Sequence, residues 1–177
     1  EERAILQFVL DTGMEGLTQS KPLRKMGIHS SPTGELFLDE VRVGPDRLLG
    51  ESEEAFRGAG GRSASKATFS IERAGVAAMA LGIVERCLEL SVAYAKDRVQ
   101  FGRPIGEFQL IQLKLARMEV ARLNIENLVF RFIEMGAAGE QVGFAEASAA
   151  KLYAAQSATE VAMEAVQLFG GDGGMSE

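Results

Sequence analysis

Three stretches of this chain repeat apolar side chains at three- and four-residue steps, the period of a helix with one buried face. In the first, Val76, Met79, Ala80, Ile83, Val84, Cys87, Leu88, Ser91 and Tyr94 recur in this way. In the second, Ile111, Leu115, Met118, Ala121, Ile125, Leu128, Val129 and Phe132 do the same, up to Gly136. The third runs from about Val142 through Ala145, Ala149, Leu152, Ala155, Ala162 and Val166 to Phe169, where Gly170-Gly171 supplies a stop. Its many alanines allow close helix approach. Three antiparallel helices of roughly 25–30 residues, each with an apolar stripe, make up most of a four-helix bundle.

Between the first two runs stands RVQFGRPIGEFQLIQ, from Arg98 to Gln112, where an ordinary polar turn would be expected. Pro104 is poorly tolerated inside a helix and Gly102 loosens the backbone before it, so the first helix should stop here. A second helix is expected to start near Glu107. Arg98 and Arg103, the ring of Phe101 and the amide of Gln109 form a corner suited to a bulky anionic ligand. The plainer alternative is a solvated loop whose arginines cap a helix end.

Upstream, residues 4–11 (AILQFVLD) and 35–43 (ELFLDEVRV) are β-prone, with turn signals at Thr12-Gly13, Pro22, Pro32 and Gly44-Pro45. Leu36, Leu38 and Val41 cannot all share one face of a strand without a bulge or an exposed position. Two or three strands are too few for a sheet standing alone, so the sequence is expected to begin inside a domain. Residues 51–68, which include GAGGRSAS, read as a flexible connection. No βαβ unit follows the glycines, so they carry no dinucleotide-fold signal.

Composition narrows the partners. With 19 basic and 25 acidic residues the net charge is −6, which argues against nucleic acid. No apolar run is long enough to span a bilayer. The lone Cys87 excludes an intrachain disulfide, and no cluster at ligand spacing suggests a metal site.

Three separated motifs carry a resemblance. Glu72-Arg73 in SIERAGVAAMALGIVERC, the R-x-Q-F-G corner, and Gln167-Leu168-Phe169-Gly170-Gly171 occur in order and at matching spacing. Together with KPLRKMGIHSSPTGELFLDEVRVGPDRLLGE upstream, they make the chain resemble the acyl-CoA dehydrogenase family, FAD enzymes that α,β-desaturate acyl-CoA thioesters. The resemblance implies an α+β fragment. Residues 1–50 would be the end of the family's middle β domain, and 69–177 an incomplete C-terminal four-helix bundle. It also implies FAD as cofactor, an acyl-CoA substrate, and a homotetramer (or dimer) with FAD contacts across subunits. An electron-transfer flavoprotein would be the oxidant, in a bacterial cytoplasm or a mitochondrial matrix.

Desaturation needs an α-proton removed while hydride leaves the β-carbon, and a carboxylate in a water-poor site suits the first task. The resemblance assigns that role to Glu72, the position used by the isovaleryl-CoA and long-chain types. Other members carry the base in a later segment. Arg73 and Ser70 would touch substrate. Arg98 would reach the FAD diphosphate or adenine half across a subunit interface, Phe101 would pack near adenine or the interface, and Gln109 would donate an amide hydrogen bond. Gln167, Phe169, Gly170 and Gly171 would bring backbone amides to FAD. Gly174 departs from the aromatic residue common there. Two rivals share the scaffold: a flavin-dependent oxidase or monooxygenase, and a non-catalytic bundle subunit.

Overall fold

The computed structural model describes residues 6–50 and 60–175. The chain forms two compact units, residues 1–65 and 66–177.

In the first unit, β1 (Leu17–Gln19) pairs antiparallel with β2 (Leu36–Leu38), in the register Leu17↔Leu38, Thr18↔Phe37 and Gln19↔Leu36. The strand expected over 35–43 is thus cut to three residues. Its continuation is broken where Glu40 takes φ +48°, a left-handed conformation that ends a pleat. Leu36, Phe37 and Leu38 are all exposed, so the alternation problem is resolved by exposure. The stretch read as a strand over 4–11 makes a single antiparallel bridge, Phe8↔Leu48, among its described residues. Its partner segment emerges directly from a 3-10 turn at Pro45–Arg47, which leaves little extended chain to pair with. Arg47 holds Asp11 across that bridge at 2.7 Å.

The second unit is helical. Helix α1 spans Gly60–Asp97, so residues 60–68 are helical and not the flexible connection expected of them. Residues 51–59 of that stretch lie outside the described residues. Ala64, Ala67 and Lys66 favour helix strongly enough to outweigh the glycine pair at the helix start. Helix α1 stops at Asp97, and a two-residue hairpin follows, β3 (Val99–Gln100) paired with β4 (Arg103–Pro104). Pro104 therefore sits at the edge of a hairpin, where its missing N–H costs nothing. A 3-10 turn over Ile105–Glu107 leads into α2 (Gln109–Ala137), and α3 covers Phe144–Phe169.

Side-chain pairs set the helix directions. Lys114 meets Glu164, Asn124 meets Tyr153 and Arg131 meets Glu146, so α2 and α3 run antiparallel. Arg73 meets Phe144 and Tyr94 meets Phe169, so α1 and α3 run parallel. The common core joins Ala77, Leu81 and Val84 of α1, Met118, Ile125 and Val129 of α2, and Ala154, Val161 and Ala165 of α3.

The buried phase differs from the sequence expectation in two helices. Met79 (60% exposed) and Ile83 (51%) of α1 stand outside the core. In α3 the buried positions are Ala147, Ala150, Ala154, Ser157, Ala158, Val161, Ala165 and Leu168. Leu152 and Val166, expected inside, are exposed, as is Met163. The buried row lies roughly half a turn from the expected one. Alanines at the interface let α3 approach its neighbours closely, and the larger apolar side chains then fall on the outer face. The period holds in α2, where Met118, Ile125, Val129 and Phe132 are buried as expected.

Candidate functional site

The hairpin at the end of α1 is a strained device. Gln100 pairs with Arg103, so Phe101 and Gly102 form a two-residue loop with φ +53° and +80°, the type I′ pattern. Asparagine usually takes the first of these positions, because a residue with a bulky side chain pays about 1 kcal/mol or more to stand there. Phe101 is nevertheless 92% exposed, its ring meeting Phe108 edge-on with centroids 6.2 Å apart. A strained, exposed aromatic ring contributes little to the fold of this unit and points to something that covers it.

Around this hairpin lies an open groove of about 960 Å³, which brings together Arg98, Phe101, Gln109, Phe169, Gly170 and Gly171. Those six were singled out in the sequence; Gln167, the seventh, does not line the groove. Arg98 and Arg103 both face it, and neither has a carboxylate partner at ion-pair distance among the described residues. The Arg103 guanidinium lies 4.2 Å from the centre of the Phe108 ring, which leaves its N–H edge available. Helix α2 opens at Gln109 with no acid in its first turn, so its N-terminal N–H groups add a positive end to the groove. Ala95, Ile105 and Leu168 form a small apolar core beneath, with Tyr94, Phe108 and Ile111 packed on it.

The glycine-rich turn closes the far wall. Gly170 adopts φ +60° and ψ −126°, which a side chain would strain. A Cβ on Gly173 would come within 2.5 Å of the Val166 carbonyl oxygen, so the turn is folded back on α3 too tightly for any other residue. Gly174, in contrast, has open space where a Cβ would go. Tyr94 anchors the turn: its hydroxyl donates to Asp172 Oδ2 at 2.8 Å, and its ring packs at 4.5 Å on Phe169. The neighbouring Asp172 carboxylate, as hydrogen-bond acceptor, holds the Tyr94 hydroxyl above its ordinary pKa; burial adds to this and the Arg98 charge opposes it. In the sequence Tyr94 falls on an apolar stripe, and Asp172 belongs to none of the motifs. A tyrosine one helical turn before the corner arginine is the signal that was available.

The other predicted residues lie near the opposite end of α1. Glu72 is exposed, and on a helical wheel it shares a ridge with Val76, Met79, Ile83 and Leu90. Three of these, Met79, Ile83 and Leu90, are exposed as well. Arg73 donates to the Phe69 carbonyl at 3.0 Å and lies 4.5 Å from the centre of the Phe144 ring, so it binds α3 through an aromatic face and not through an acid. Ser70 is buried, donates to the Lys66 carbonyl at 2.9 Å, and helps wall an apolar cavity of about 490 Å³ with Ile71, Ala74, Phe132 and Ile133. At 1.5 Å per residue, Glu72 and Tyr94 stand roughly 33 Å apart along the axis of α1. The structure therefore does not bring the catalytic candidate and the cofactor candidates of one chain together. Among the described residues no group of three or more His, Cys, Asp or Glu could hold a metal, and no helix is long and apolar enough to cross a membrane.

Comparison with known proteins gives this arrangement a context. A family model for the acyl-CoA dehydrogenase C-terminal domain matches residues 58–177. A 3-(aryl)acrylate reductase of Clostridium sporogenes is 40% identical over 171 residues, covering 97% of this chain and 44% of the relative. A short-chain specific acyl-CoA dehydrogenase of Megasphaera elsdenii is 41% identical over 172 residues, covering 96% of this chain and 42% of the relative. The structure of butyryl-CoA dehydrogenase from Megasphaera elsdenii superposes with a TM-score of 0.84 at 40% identity, covering 97% of this chain and 43% of that one. The chain thus spans less than half the length of these relatives. With the family match running through the whole helical unit, the chain belongs to the acyl-CoA dehydrogenase family.

Proposed function

We propose that this chain is part of an FAD-dependent acyl-CoA dehydrogenase that removes hydrogen across the α,β bond of an acyl-CoA thioester. The groove at the hairpin carries the reading. Two guanidinium groups without acidic partners among the described residues, a helix N-terminus, an exposed aromatic ring and a tight glycine turn are the donors and surfaces that a dinucleotide's phosphates and adenine require. The residues present fit FAD. Arg98 and Arg103 would hold the diphosphate, Phe101 would cover the adenine half, Gln109 would donate its amide, and Phe169, Gly170 and Gly171 would line the backbone side. When bound, FAD supplies the hydride acceptor at flavin N5.

Glu72 is the base in this reading. Its carboxylate takes the α-proton as the β-hydride departs, and the apolar ridge of Met79, Ile83 and Leu90 supplies a surface that a bound ligand can make dry. Arg73, fixed against Phe144, keeps this end of α1 in place beside α3. The stretch between a diphosphate and its flavin ring is only a ribityl chain, far shorter than the span of α1 between Glu72 and the hairpin. The cofactor held at the corner of one subunit would therefore present its flavin to Glu72 of another, which makes the enzyme a homodimer or homotetramer. The outer apolar faces of α1 and α3, with Met79, Ile83, Leu152, Met163 and Val166, are surfaces such an assembly would cover. An electron-transfer flavoprotein would then reoxidise the cofactor.

The test is anaerobic titration of the full-length protein with acyl-CoA thioesters, read as bleaching of the flavin absorbance. Bleaching that is lost in Glu72→Gln, with FAD still bound, is the expected result. Bleaching that survives the substitution removes Glu72 from the role of base. Flavin that binds and never responds to a thioester refutes the dehydrogenase reading in favour of an oxidase or monooxygenase, and protein that binds no flavin leaves a structural subunit.

A further inference from the structure

Tyr94 and Asp172 form a hydrogen-bonded pair at the edge of the groove that the cofactor reading does not use. Arg98 lies one helical turn beyond Tyr94, near enough for its charge to act on the Tyr94 hydroxyl. Asp172 is in the glycine-rich turn whose first residues line the same groove. A carboxylate at this place is a natural partner for Arg98 and a competitor of any phosphate there, since a guanidinium forms the same paired hydrogen bonds with either. Yet Asp172 makes no ion pair with Arg98; its Oδ2 instead accepts a hydrogen bond from the Tyr94 hydroxyl at 2.8 Å. The Phe169 ring, packed at 4.5 Å, keeps the phenol from swinging away.

We propose that Tyr94 is a positioning residue for the cofactor corner: its hydroxyl holds the Asp172 carboxylate off Arg98 and so keeps that guanidinium free for the FAD diphosphate. The inference rests on the FAD reading and adds a residue pair to it. Tyr94 touches no cofactor atom in this account; it acts through Asp172. In its absence Asp172 would swing to Arg98, and FAD would have to displace an internal carboxylate before binding.

The experiment titrates FAD into the apo form of the full-length protein and follows flavin fluorescence, for the wild type and for Tyr94→Phe, Asp172→Asn and the double variant. Tyr94→Phe keeps the ring and its packing but frees Asp172, and should weaken FAD about tenfold, the scale of a hydrogen bond to a charged group. Adding Asp172→Asn removes the competing charge and should return the affinity to within about twofold of wild type, the usual limit of additivity. That rescue separates positioning from packing, because loss of packing would not be repaired by removing a charge elsewhere. A double variant as weak as Tyr94→Phe, or a Tyr94→Phe variant that binds like wild type, overturns the proposal. Should Tyr94→Phe fold poorly, Asp172→Asn alone decides: it keeps an acceptor for Tyr94, and binding weaker than wild type overturns the inference. Wild-type protein that takes up no FAD overturns the cofactor reading itself, and the inference with it.

Discussion

At its C-terminal end α1 delivers Tyr94 and the hairpin into a groove whose walls already exist, whereas about 33 Å earlier it carries Glu72 on an open ridge. The first region is held by a small core of Ala95, Ile105 and Leu168, a hydrogen bond between Tyr94 and Asp172, and a glycine turn with no room for a side chain at Gly173. It even carries backbone strain, at Phe101. The second region has a carboxylate between exposed apolar side chains and no polar partner to orient it among the described residues. Binding a large anionic cofactor tightly requires donors fixed in advance, because each group ordered on binding costs affinity. A base needs the opposite at rest, since a buried unpaired carboxylate would be expensive before substrate arrives. On the proposed reading, one half-site is preformed and the other would be completed by what covers it.

The largest test of this division is Glu72→Gln. It should lower the rate of thioester-driven flavin reduction by about 10²–10⁴-fold, the usual share of a general base, while FAD affinity stays unchanged. A parallel loss of FAD would break the independence of the two ends. Arg98→Ala acts at the preformed end and should weaken FAD roughly tenfold to a hundredfold, as loss of a charge-assisted hydrogen bond does. At saturating FAD the reduction rate should recover, and a rate that stays low would show that Arg98 reaches the chemistry.

A smaller effect, and a sharper one, belongs to Phe101→Asn. Asparagine suits the left-handed conformation, so the variant should gain up to about 1 kcal/mol in denaturant unfolding while binding FAD less well or assembling less readily. Loss of stability in that variant would mean that the ring serves the fold and not a ligand. The smallest effect is a titration. Asp172 raises the Tyr94 pKa above its ordinary value near 10, so the stabilising hydrogen bond is complete below that pH and is lost as pH rises through the higher folded value. In Asp172→Asn one tyrosine should ionise at lower pH than in wild type, visible as a tyrosinate difference spectrum.

Much of the groove was legible in the sequence. The stretch from Arg98 to Gln112 and the Q-x-F-G-G segment hold the six residues that line one groove, because glycine, arginine and aromatic residues in fixed order leave a strong imprint on sequence. Tyr94 and Asp172 escaped, since they lie 78 residues apart and only folding sets one against the other. In the first unit the short strand at Leu17–Gln19 left no periodic signal, and Glu40 broke a strand that its neighbours favoured.

That three helices exist, roughly where each one stops, and that their corner carries donors for an anion is written in the order of the residues. Local period, capping glycines and side-chain chemistry are properties of neighbouring residues, so they can be read along the chain. Folding settles which face of α3 turns inward and shifts that of α1, where Ala80, Val84 and Ser91 are buried as expected but Met79 and Ile83 are not. An alanine-rich helix with apolar residues on several faces has no unique phase of its own. The choice falls to the face that packs most closely, so Ala154 and Ala165 go in and Leu152 and Met163 stay out.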